Sequence, residues 1–151
     1  MKVVDLMIQD VITIRPDDSL FAAVLKMNEH DVRHLPVVED DRLVGIITNR
    51  DIRLLATRLP EPDRAGGGYT LSLETRVGEA MTREPILIEP DAELDEVLDL
   101  FIEAKVGAVP VVTGDRELVG IIGYIDLLSI LRTKLDALLG RDDAVSQATH
   151  I

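Results

Sequence analysis

The feature that most constrains this chain is an internal duplication. Residues 7–42, MIQDVITIRPDDSLFAAVLKMNEHDVRHLPVVEDDR, lie over residues 81–116, MTREPILIEPDAELDEVLDLFIEAKVGAVPVVTGDR, without a gap. After one inserted residue near Glu117, LVGIITNRD lies over LVGIIGYID. Met7 repeats as Met81, Ile12 as Ile86, Ile14 as Ile88, Pro16 as Pro90, Leu20 as Leu94, and the PVV and LVGII stretches recur whole. Two copies at so long a spacing do not build a solenoid, which needs many short units, but they suit a pseudo-two-fold pair. At 151 residues the chain holds one compact unit or two half-domains sharing a core.

Each copy predicts the same order of elements. A short apolar run at 11–14 or 86–88 precedes a proline, which biases the residue before it toward extended geometry, so it reads as a strand. Asp17 or Asp91 is placed to cap the helix that follows, whose apolar residues recur at helical spacing: Leu20, Val24 and Met27 in one copy, Leu94, Val97, Leu98 and Phe101 in the other. These helices are expected to end near His30 and Ala104. LPVV and VPVV, the turns EDDR and TGDRE, and LVGII then read as two short strands joined tightly. A second helix runs from Asn49 to about Thr57, or from Tyr124 to about Leu139. The expectation is an α/β (α+β) fold of two β-α-β-β-α repeats: copy one at 1–57, a linker at 58–72, copy two at 73–139 and a tail at 140–151.

Composition narrows the function. Hydrophobic residues make up 46% of the chain, but Trp is absent and Phe and Tyr number two each, so the core is aliphatic. A net charge of -12, spread along the chain, repels phosphate backbones and anionic lipid, so neither nucleic acid nor membrane is an expected partner. Without Cys there is no thiolate metal site or Cys nucleophile, and the redox compartment is left open. Asp5 and Asp10 interrupt the first residues too early for a secretory signal, and no apolar run reaches membrane-spanning length, so a cytoplasmic protein is expected. The three consecutive glycines at 66–68 lack a following Gly-Lys-Ser/Thr and read as linker rather than phosphate loop.

Titratable residues do not assemble into a catalytic set. The paired carboxylates Asp17-Asp18, Asp40-Asp41 and Asp142-Asp143 fall in turns and caps, where solvation is their ordinary state. His30 and His34 are four apart, but the helix ends between them and no third ligand follows, so no metal site is expected. Neither a catalytic role nor a catalytic cofactor is predicted.

Taken in order and twice over, ITIRPDDSLFAAVLKM, VRHLPVV and LVGIITNRD with ILIEPDAELDEVLDLF, VGAVPVV and LVGIIGYID resemble the CBS motif named after cystathionine β-synthase. The resemblance runs from about Val3 to about Leu131. It implies a disc-like pair of motifs, a Bateman module, that commonly dimerises and binds AMP, ADP, ATP, S-adenosylmethionine or related adenosyl compounds between motifs. The pattern Gly-apolar-apolar-Thr/Ser-x-x-Asp carries the ribose and phosphate role in that family, and it falls on Thr48 and Asp51. A carboxylate one turn into a helix accepts hydrogen bonds from both ribose hydroxyls, and phosphate then lies near Thr48, Asn49 and Arg50 at the helix N-terminus. In GIIGYID the acid persists as Asp126, while Gly123 replaces the hydroxyl residue ahead of Tyr124 and Ile125.

Each cleft is implied to be shared between motifs. Thr48 and Asp51 would face Met81, Ile86, Val106, Gly107 and Ala108, whereas Asp126 would face Met7, Ile12, Val32, Arg33 and His34. The sites are thus unequal, the second relying on Arg33 and His34 for phosphate. The implied role is a regulatory module that signals through an effector protein not identified by the sequence. The bland alternatives are that Asp51 and Asp126 merely cap helices, that Arg33 and His34 are solvated strand-start residues, and that the pair only dimerises.

Overall fold

The computed structural model describes residues 1–58 and 73–141; the expected linker, from residue 59, and tail, from residue 142, lie outside the described residues. In order, a 3-10 turn η1 (Val3–Asp5) is followed by α1 (Leu20–His30), β1 (His34–Glu39), β2 (Arg42–Thr48) and α2 (Asn49–Arg58). The second copy repeats this as α3 (Val77–Ala80), α4 (Leu94–Glu103), β3 (Ala108–Val112), β4 (Leu118–Gly123) and α5 (Tyr124–Leu138). The α+β duplication expected from the sequence is therefore the observed architecture. Among the described residues no helix is long and apolar enough to cross a membrane.

Each copy builds an antiparallel hairpin, β1 with β2 and β3 with β4, and both carry a register shift at the equivalent place, Val37/Val38 and Val111/Val112. In the first hairpin Asp40 and Asp41 both have positive φ, 50° and 62°, the geometry of a two-residue turn matching strand twist, and Asp tolerates it because its short side chain can bond locally.

Two expectations need correction. The first strand of each repeat is a single parallel bridge, Ile14 with Val37 and Ile88 with Val111. Ile14 N–H donates to Pro36 O at 3.1 Å and Ile14 O accepts Val38 N–H at 2.9 Å. The ladder stops there because Pro16 and Pro36 have no N–H to donate. The helix caps also sit two residues later than expected. Ser19 caps α1, its Oγ accepting Ala22 N–H at 3.1 Å, and Glu93 is the N-cap of α4, its N–H donating to Glu96 Oε1 at 3.2 Å. Asp18 instead accepts Arg15 N–H, and Asp17 meets Arg76 in an exposed ion pair.

The two hydrophobic clusters cross between copies. Ile14, Leu20, Ala23, Met27, Leu35, Val37, Ile47 and Ile52 enclose Val77, which lies just ahead of copy two's repeat. Ile88, Val97, Val109, Val111, Ile122 and Leu127 enclose Val3 and Leu6, from the chain's first residues. Backbone bonds fix the exchange: Val3 N–H to Ala92 O and Val4 N–H to Pro90 O on one side, Val77 N–H to Asp18 O and Gly78 N–H to Pro16 O on the other. The segments then bridge the outer hairpin edges, Ile8 with Ile121 and Ile46 with Thr82, each through two backbone bonds of 2.8–3.0 Å.

This close approach requires glycine. A Cβ on Gly45 would lie 2.6 Å from Met81 Sδ and 2.7 Å from Thr82 O. One on Gly120 would run into Met7 Sδ and come 3.1 Å from Ile8 O. The recurrence of Met and Gly in both copies is thus one packing solution used twice.

Candidate functional site

The end of β2 and the start of α2 form a reciprocal cap. Thr48 Oγ1 accepts Asp51 N–H at 3.0 Å, and Asp51 Oδ2 accepts Thr48 N–H at 2.9 Å. Buried Ile52 anchors the turn to the first core cluster. The cap leaves chemistry to spare. A carboxylate has about four lone-pair sites, so Oδ1 and one lone pair of Oδ2 remain for a diol, and the Thr48 hydroxyl still has its proton to donate. The capping and ligand readings of Asp51 are compatible. The helix N-terminus is less open than its position suggests, because Asn49 N–H is taken by Arg33 O at 2.9 Å and Asp51 N–H by Thr48. Arg50 is exposed, Asn49 half-buried.

Of the residues expected to face this cap, Met81 lies over Gly45, Val106 and Gly107 are half-buried, Ala108 is buried and pairs with Gly123, and Ile86 is exposed. The second cap differs. Gly123 is the N-cap of α5 with no side chain to bond, and Tyr124, Ile125 and Asp126 are all exposed. Tyr124 N–H donates to Gly107 O at 3.2 Å, the counterpart of Asn49 to Arg33. Asp126 Oδ2 sits over Gly123, 2.9 Å from where a Cβ would be. A serine or threonine here would crowd that carboxylate unless it turned into the cap that copy one makes.

Of the residues expected to face Asp126, Met7 lies over Gly120, and Ile12 and Val32 pack on the edge of the first core cluster. Antiparallel register sets His34 opposite Thr48, within copy one, while its imidazole rests against Gly107 of copy two. His34 therefore lies between the copies, beside Thr48 of one and Gly107 of the other. A concavity of about 190 Å³, lined by Val24, Met27, Asn28, Asp31, Val32, Arg33 and Asn49, adjoins this corner. The sequence reading placed Gly45 in the family pattern but did not anticipate the close packing at Gly45 and Gly120; a glycine within a strand pattern signals close backbone approach.

The His34 imidazole is held below its ordinary value of 6.5, first by burial and further by the Arg33 charge, with the Asp51 carboxylate opposing. Because the folded state disfavours the proton relative to the unfolded chain, this contribution is complete above about pH 6.5 and is lost as pH falls through the depressed folded value. Thermal unfolding from pH 7.5 to 5.5 is therefore expected to show wild type losing more stability on acidification than His34→Asn, with the difference between them becoming independent of pH upward of neutrality. A difference that stays constant across the range would contradict this.

Comparison with known proteins gives a consistent picture. The model of the CBS domain matches residues 3–57 and 77–133. The inosine-5′-monophosphate dehydrogenase of Methanocaldococcus jannaschii is 32% identical over 128 residues, which are 84% of this chain but only 23% of that enzyme. Among solved structures, the CBS domain pair of protein MJ0100, in complex with 5′-methylthioadenosine and S-adenosyl-L-methionine, superposes with a TM-score of 0.75 at 27% identity, covering 89% of this chain and 98% of that one. CBSX2 in complex with AMP superposes with a TM-score of 0.73 at 26% identity, covering 88% and 98%.

Proposed function

The chain belongs to the CBS-domain family, and from that premise we propose that it is a regulatory module binding AMP, ADP, ATP or a related adenosyl compound such as S-adenosylmethionine between its two copies. One observation carries the reading: the reciprocal Thr48–Asp51 cap holds a half-buried carboxylate and a hydroxyl in fixed geometry, each with capacity unused by the fold. Ligands of the adenosyl class in MJ0100 and CBSX2 support it. Asp51 would bind the ribose diol and Thr48 the phosphate. Arg33 and His34 would supply positive or hydrogen-bonding contacts at the shared corner, and Asp126 would serve a second, more open cleft. The module is not an enzyme in this reading; it acts in the cytoplasm through an effector protein, with no role for nucleic acid or membrane. A ligand signals only if it binds one arrangement of the halves better than another.

Titration calorimetry with AMP tests the assignment. Asp51→Asn keeps an oxygen for the cap but loses the second acceptor and the charge. Losing a charge-assisted hydrogen bond of about 1.5–3 kcal/mol corresponds to roughly 10- to 100-fold weaker binding in the first cleft. Asp126→Asn is expected to weaken only the second cleft. Unchanged binding in both variants would remove the site assignment.

The same module is proposed to act as a homodimer through α5. Tyr124, Leu128, Leu131, Leu135 and Leu138 recur at alternating spacings of four and three and are all exposed, Leu138 at 84%. A seam of this period is what one helix offers another.

A further inference from the structure

Positions 33–34 and 107–108 are equivalent in the duplication, yet one copy carries Arg33-His34 and the other Gly107-Ala108. The fold sets the imidazole of the larger pair on the bare backbone of the smaller. A Cβ on Gly107 would come within 2.5 Å of His34 Nε2 and 2.9 Å of Cε1, so this seat exists only because residue 107 has no side chain. On one side His34 is held next to the first cap, opposite Thr48 in the ladder, and Thr48 is locked to Asp51. On the other side the seat leads to the second cap, since Gly107 O accepts Tyr124 N–H, and Gly123 separates Gly107 from Asp126 Oδ2. Asp51, His34, Gly107 and Asp126 form a contiguous row from one acid to the other.

Resting on the nucleotide reading above, we propose that His34 couples the two clefts, so that a ligand in one lowers the affinity of the other. A ribose on Asp51 with its base toward Gly107 and Ala108 needs the space the imidazole fills, so the ring must leave its seat for another rotamer. A phosphate in the Asp126 cleft, drawn to Arg33, holds the neighbouring ring where it is. The ring thus has two discrete positions that the ligands bias oppositely, which is the bistable element that coupling needs. The effect is reciprocal, each ligand weakening the other by one common factor. Ala108, a buried methyl at the position matching His34, cannot act this way, so the device is single.

Calorimetry with AMP on Asp126→Asn and Asp51→Asn measures each cleft with the other disabled, and wild type then shows whether the two add. Coupling of this kind typically spans 5- to 150-fold, so the second AMP is expected to bind wild type at least fivefold more weakly than the isolated cleft, or to be missing from the titration. His34→Ala weakens the Asp126 cleft itself, which His34→Ala/Asp51→Asn measures alone, and is expected to bring the coupling factor between the clefts to one. Gly107→Ala, which keeps the imidazole and removes its seat, is expected to do the same in part. Additive binding in wild type, or a coupling factor or single-site stoichiometry that persists unchanged in His34→Ala, overturns the proposal while the nucleotide reading stands. Absence of AMP and other adenosyl ligand binding in wild type overturns both.

Discussion

Deleting residues 1–8 is expected to open the core of copy two while leaving that of copy one the better protected. The segment belongs to copy one by sequence, but Val3 and Leu6 are buried among Ile88, Val97, Val109 and Ile122. Full burial of two such side chains is worth about 3–6 kcal/mol. Also lost are the bonds from Val3 and Val4 to Ala92 and Pro90 and the double bridge of Ile8 to Ile121. Against a typical domain stability of about 5–15 kcal/mol the loss is large. Hydrogen exchange followed by mass spectrometry distinguishes the outcomes: amides of β3, β4 and α5 should lose more protection than those of β1 and β2. Equal loss in both hairpins, or greater loss in the first, would contradict the crossed packing.

Leu128→Lys combined with Leu135→Lys is expected to convert a dimer into a folded monomer. Both side chains are more than half exposed in the single chain, at 56% and 54%, so the substitutions cost the isolated fold little. In a paired seam the same charges would be taken out of water opposite one another, which is strongly unfavourable. Arg132 is engaged along the helix with Asp136 at 3.7 Å, so its charge is partly answered before a partner arrives. Sedimentation velocity reads the oligomer and circular dichroism the fold. A wild type that sediments as a monomer, or a dimer unchanged by the two lysines, would refute the α5 seam.

Much of this architecture was legible because it is written in short-range chemistry. The stretches LPVV, EDDR and LVGII, with VPVV, TGDRE and LVGII in the second copy, specify hairpins through strand and turn preferences, and α1 and α4 end where their periodicity ends. What was not legible depends on partners far along the chain. The runs at 11–14 and 86–88 look like strands, but proline on both sides of the pairing limits each to one bridge. Asp17 and Asp91 are good capping residues in the wrong place; Ser19 and Glu93 are the N-caps because the helices begin at Leu20 and Leu94. Val3 and Val77 sit in segments too short to show a period, so their exchange has no local signal.

At the site, Thr48 and Asp51 were singled out by the family pattern they match, and the structure adds that they bind each other as a cap. The family resemblance implied a place for His34 at the second cleft, facing Asp126. The hairpin register sets it opposite Thr48, and its seat on Gly107 follows from a contact more than seventy residues away.

The central claim is that the cap's spare oxygen and hydroxyl receive an adenosyl ligand, and AMP titrated into wild type and Asp51→Asn tests it most directly. Saturable binding to wild type, weakened roughly 10- to 100-fold in a variant that keeps its cap and its thermal stability, is the predicted result. Equal affinity for both proteins would contradict it.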